Sequence, residues 1–287
     1  MWEKLLHIDR RFIYLLLLVV VLLPLLLNWK LPPGYTNPNT QALYDYVEKL
    51  PADTPVMIAY DFDPATSPEL RPMATALTLH VMRKHQRLIA MTFVPGGVLL
   101  ADQVLNEVAQ KEGRTYGTDY VNLGFNPNVQ AVLLGMGENI KRVFVLDTRE
   151  NPTATLPVLR GVHDYKQLGL IIDLTGTGLT GAWIAFAHQR FHAPVGAGVT
   201  SVVAMDMYPY LRTHQLVGLL NGIAGSAEYE KLLGVTGDGM LAMPAVTAVH
   251  LLMVVLVLVG NLAYFASRRR AAAPPPEPPE PSSGEEV

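Results

Sequence analysis

The chain has 287 residues, half of them hydrophobic, with 22 basic and 25 acidic residues, a formal net charge of −3 and no cysteine. The near balance of charge argues against a nucleic-acid surface. The missing cysteines exclude disulfides, thiol catalysis and thiolate-bound metal, and no cofactor or metal is expected.

The first element is the uncharged run Phe12 to Leu27, preceded by Lys4, Arg10 and Arg11. It is just long enough to cross a hydrocarbon core of about 30 Å at about 1.5 Å per helical residue. The stretch Leu27-Asn28-Trp29-Lys30-Leu31 offers no small-x-small cleavage site, so residues 12–29 read as an uncleaved signal anchor behind a cytoplasmic segment 1–11. Residues 30–54 then supply a Pro/Gly/Asn-rich spacer and a first helix, 41–50, with Thr40 as its N-cap.

From residue 55 to 243 apolar, strand-like runs alternate with amphipathic ones. Strands are expected at 55–61, 87–94, 119–123, 143–146, 168–174 and 198–205, and helices at 67–85, 99–112, 128–139, 179–191 and 209–233. This alternation predicts an α/β domain with a doubly wound, mostly parallel sheet, flavodoxin-like or Rossmann-like, covered on both faces. Residues 244–267 form a second uncharged span, followed at once by Arg268, Arg269 and Arg270. Basic residues beside both spans keep both termini in the cytoplasm of a bacterial inner membrane and the central domain outside it. The tail 268–287 is Pro-rich and has nothing to bury, which predicts disorder.

Acidic residues recur where predicted strands end: Asp61, Asp63, Asp147, Asp173 and Asp206. Open α/β sheets bind ligands beyond the carboxyl ends of their strands, so Asp61, Asp63, Thr92, Gly96, Asn126, Asp173, Thr175 and Asp206, with Tyr60, form a candidate ligand-binding rim. The same acids are also common turn formers and helix caps. Gly176-Thr-Gly-Leu-Thr-Gly181 matches the dinucleotide pattern G-x-G-x-x-G, but it lies late in the sheet and its following acid, Asp206, lies beyond the usual offset of about 20 residues. A Gly-rich βα turn is the favoured reading. His188 and His192 stand four apart on a predicted helix without the glutamate of a zinc protease, and no Ser/His/Asp set can be assigned, so no catalytic residue is named.

Gly218, Gly222 and Ser226 recur at every fourth position of the predicted helix 209–233, a smooth ridge for close packing against the domain's own sheet or a partner. In the second span Ala263 and Ser267 repeat the spacing, and Asn261 is an amide at membrane depth. These six residues are the candidate interface.

The segments Tyr116-Gly-Thr-Asp-Tyr-Val-Asn-Leu-Gly-Phe125, Leu134-Gly-Met-Gly-Glu-Asn-Ile140 and Gly218-Leu-Leu-Asn-Gly-Ile-Ala-Gly-Ser-Ala-Glu-Tyr-Glu230 resemble an uncharacterised family of bacterial two-pass inner-membrane proteins. The resemblance implies two spans around an extracytoplasmic α/β domain and carries no residue role. The expected function is a non-enzymatic, membrane-anchored assembly or accessory subunit, with the lipid bilayer, further copies of itself or other membrane subunits as partners. The alternatives are an extracytoplasmic ligand-binding or sensory domain and, behind it, an enzyme using strand-end aspartates.

Overall fold

The computed structural model describes residues 9–30 and 32–271. Residues 1–8, most of the Pro-rich tail and the side chain of Ser267 lie outside the described residues. The chain divides into two compact units, residues 30–243 and residues 1–29 with 244–287.

The larger unit is built on a parallel six-stranded sheet of order β3-β2-β1-β4-β5-β6, so the order reverses between β1 and β4. The strands are β1 (Pro55–Asp61), β2 (Arg87–Thr92), β3 (Tyr120–Phe125), β4 (Leu170–Thr175), β5 (Val195–Val199) and β6 (Leu219–Asn221). β1, β4 and β5 are buried along their whole length, which is why they read as continuous apolar runs rather than alternating ones. Alternate residues feed two cores: Met57 and Ala59 of β1 enter one, Val56, Ile58 and Tyr60 the other. The second core is closed by residues of α2 (Pro38–Lys49), α3 (Ser67–Arg83) and α4 (Gly97–Glu112), and the first by residues of α5 (Val129–Val143) and α6 (Leu179–Trp183). α6 runs on through a π-helical turn, Ile184–His188, into α7 (Gln189–Phe191). Helices on both faces of a parallel sheet make this an α/β fold.

Local chemistry explains where the elements depart from the sequence expectations. Asn37 rather than Thr40 caps α2, its side chain accepting from the Asn39 amide at 2.9 Å, while Pro38 takes the first helical position. Thr40 is instead buried, donating to Glu228 at 2.7 Å. The run expected as a strand at 143–146 ends α5 and then forms a loop in which Val145 and Leu146 are exposed. Asp147 folds that loop back by accepting from the amides of Arg149 and Asn151, both at 2.8 Å.

The expected helix 209–233 is three elements. α8 (Ala204–Arg212) holds Pro209 inside it and ends as Thr213 donates to the Pro209 carbonyl at 3.0 Å and His214 turns to φ 56°. The chain then extends to add β6 to β5, and α9 (Gly222–Leu232) begins at a glycine with φ 54°. Gly218, Gly222 and Ser226 therefore do not share a helical face. Gly218 is small because a Cβ there would press on the Asn39 carbonyl and the Leu43 backbone of α2, and Gly222 because a Cβ would meet the Ser201 hydroxyl.

The smaller unit contains α1 (Arg10–Leu26) and, from residue 244, most of α10 (Asp238–Ala271). Among the described residues one helix is long and apolar enough to cross a membrane: α10, over the 28 residues Asp238–Phe265, with mean hydropathy 2.5. The expectation of two such helices is corrected at α1. It has 17 residues, holds Pro24, and stops where Asn28 adopts φ 46°, which leaves it about 25 Å long at about 1.5 Å per residue. Asn261 donates to the Val257 carbonyl of its own helix at 2.8 Å, and Ala263 is buried.

Candidate functional site

The reversal of strand order between β1 and β4 sends the loops after these two strands to opposite sides and opens a crevice at their carboxyl ends. A cleft of about 360 Å³ lies there, lined by Ala65, Thr66, Pro68 and Glu69 from the loop after β1 and the start of α3, Gly176 after β4, and Thr200 and Val202 after β5. Val202 is 85% exposed, an apolar lip on the opening. Glu69 is the one charged residue among the lining residues, and it is held by the Ser201 amide and hydroxyl at 2.9 and 3.0 Å. Gly176 is required at the wall because a Cβ there would crowd Thr66 and Thr200.

Asp61 and Asp173 lie at the same β1/β4 junction. The register pairs Ala59 with Asp173 and Asp61 with Thr175, so the two carboxyls are diagonal neighbours on one face of the sheet. Both are buried, at 1% and 0% exposure. Asp61 accepts from the Phe93 amide, and Asp173 from the Thr180 hydroxyl at 2.6 Å. Among the described residues Asp61 Oδ2, Asp173 Oδ1 and the Trp183 indole nitrogen lack a partner at hydrogen-bond geometry, although Asp173 and the indole both lie close enough to act on Asp61. A proton placed between the two acids would pair both oxygens. Burial pushes Asp61 up to about 6, and burial together with the neighbouring Asp61 charge raises Asp173 well above the usual carboxylate range. The pair therefore titrates as a unit and holds protons above the usual carboxylate range.

The remaining rim candidates serve local structure. Exposed Asp63 accepts from the amides of Ala65 and Thr66 at 3.0 and 3.1 Å, which hold its carboxyl below the usual range. Thr92 donates to the Tyr60 carbonyl at 2.8 Å and accepts from Val94 at 2.9 Å; Thr175 accepts from the Thr177 amide at 3.1 Å. Gly96 packs by Pro64, and Asn126 accepts from the Asn128 amide at 3.4 Å. Asp206 is not at a strand end: β5 stops at Val199, and Asp206 is exposed in the first turn of α8. Asp147 lies in the loop after α5 rather than after a strand. His188 and His192 do not share a helical face, because the first lies in the π turn, its Nδ1 2.9 Å from the Ala193 carbonyl, and the second leaves the helix at φ 58°. Among the described residues no group of three or more His, Asp or Glu is placed to hold a metal ion.

The residues that build the site but carry no sequence signal as site residues are Glu69, Ser201, Val202 and Trp183. Thr180 lies inside Gly176-Thr-Gly-Leu-Thr-Gly181, so the motif's role here is to start α6 and to deliver a hydroxyl to Asp173. Comparison with protein-family models, with curated proteins and with solved structures found no match.

Proposed function

We propose that this protein is a membrane-anchored ligand-binding or sensory domain, and that its ligand occupies the cleft at the β1/β4 junction. The observation that carries this reading is the coincidence of a cleft with the point where the strand order reverses, the place where open α/β sheets hold their ligands. Glu69 is the charged residue of the lining and no Lys or Arg joins it, so the ligand is a small neutral or cationic molecule rather than a phosphate. Asp61 and Asp173 are too deeply buried to touch a substrate, which favours binding over the enzymatic alternative. The assembly role has lost its main support, since the small-residue ridge is divided between the approach to β6 and α9.

The hydropathy of α10 and the arginines beside both apolar segments support anchoring through α10, with α1 as a shorter apolar segment, and an extracytoplasmic domain. The test is thermal stability of the full chain in detergent with amino acids, polyols and polyamines, against NAD and inorganic phosphate. A ligand at 100 times its Kd stabilises by about 2.7 kcal/mol. The proposal expects a neutral or cationic hit that disappears in Ala65→Trp, which fills the cleft from an exposed position. A phosphate-dependent shift, or a hit that survives Ala65→Trp, overturns it.

A further inference from the structure

On the face of the sheet that carries α2, α3 and α9, away from the cleft, a second group of titratable side chains is buried. His80 of α3 is 2% exposed and uses both ring nitrogens: Nδ1 lies 2.7 Å from the Tyr229 hydroxyl of α9 and Nε2 2.9 Å from Glu48 of α2. Tyr44 of α2 stacks on the imidazole with centroids 4.6 Å apart, and meets Tyr229 edge-on at 5.6 Å. Lys84, one turn along α3, binds the other oxygen of Glu48 at 3.0 Å. The charged and titratable groups facing His80 are thus Glu48 and Tyr44 from α2, Tyr229 from α9, and Arg83 and Lys84 from its own helix.

The hydrogen-bond inventory of this chain fixes its protonation. With Glu48 ionised, Nε2 must donate to it, so Nδ1 of a neutral ring accepts from the Tyr229 hydroxyl. A second proton on the ring turns Nδ1 into a donor. Tyr229 must then accept, and its own hydroxyl hydrogen is left in a fully buried site where, among the described residues, His80 is its one hydrogen-bond partner. From this juxtaposition we infer that Glu48, His80 and Tyr229 form a proton-operated clasp, closed while the ring is neutral, which releases α2 from α3 and α9 on acidification. Burial holds the imidazole below its ordinary value, against the opposing pull of Glu48, so the closed state binds the proton less well than the open one. The clasp is therefore fully closed above the ordinary histidine value near 6.5 and weakens as pH falls below it, by up to tenfold in the opening constant per pH unit for one proton taken up.

Hydrogen exchange of the full chain in detergent, corrected for the intrinsic pH dependence of exchange, tests this. Protection of residues 38–49 should fall by about tenfold or more between pH 7 and 5, while β1 and β4 keep theirs. His80→Gln should make the protection of 38–49 independent of pH. Glu48→Gln keeps an acceptor for Nε2 but removes the charge that favours ring protonation in the closed state, so release should still begin near 6.5 and the loss of protection should run deeper at low pH. Constant protection in the parent chain, the same acid release in His80→Gln, or a shallower loss of protection in Glu48→Gln overturns the proposal.

Discussion

At the scale of single residues, the Asp61–Asp173 pair governs how the domain responds to rising pH. Two carboxylates at 1% and 0% exposure cannot both ionise without water, and the folded state keeps one proton that the unfolded chain gives up near 3.8. A group raised in the folded state contributes stability that is complete below its unfolded value and is lost as pH rises through its folded one. For Asp61 that window runs from about 4 to about 6, and Asp173, raised well above the usual range, extends it upward. Asp173→Asn leaves an amide facing Asp61 and removes the shared proton. We expect its urea midpoint to fall less than that of the parent chain between pH 5 and 8, and to exceed it at pH 8. Asp61 and Asp173 were legible as strand-end acids, but their pairing was not, because the register that sets Asp61 beside Thr175 and Asp173 beside Ala59 is a property of the sheet.

At the scale of elements, the start of α10 rests on a side chain from α9. Glu230, buried, accepts from the amides of Gly239 and Met240 at 2.9 and 2.8 Å, two of the donors that every helix N-terminus leaves unpaired. Gly237 and Gly239 have no room for a Cβ beside that carboxylate. Glu230→Ala strands both amides and should cost about 1–3 kcal/mol in denaturant unfolding. Glu230→Gln, which retains one acceptor oxygen, should lose less. Sequence pattern located β1 to the residue and most of the helices closely, since long amphipathic runs and fully apolar strands leave clear periods. It missed β6 because a strand of three residues is too short for any period, and because Pro209, read as the start of a helix, lies within one. Gly218 and Gly222 were the available signal: two glycines around Leu219-Leu-Asn221 punctuate a short edge strand as well as they decorate a helix.

At the scale of the whole chain, the absence of cysteine makes sidedness directly measurable. Ala154 is exposed in the loop between α5 and β4. An Ala154→Cys chain in intact cells should react with a membrane-impermeant maleimide, whereas a cysteine placed at Val287 should react only after lysis. Equal labelling of both sites in intact cells would sink the extracytoplasmic assignment. Composition made the apolar ends legible, but the length of α1 was not, because a capping Asp9 decides where that helix begins and a left-handed Asn28 where it stops.

α2 also packs on β6, the last strand of the sheet, with the Gly218 backbone drawn up against Asn39 and Leu43. β6 is the margin strand of the sheet, and α2 lies on its face, where Gly196 and Gly218 leave room for Leu43. Whatever loosens α2 therefore also uncovers the glycine-lined face of the last two strands, so the helix and the margin of the sheet give way together.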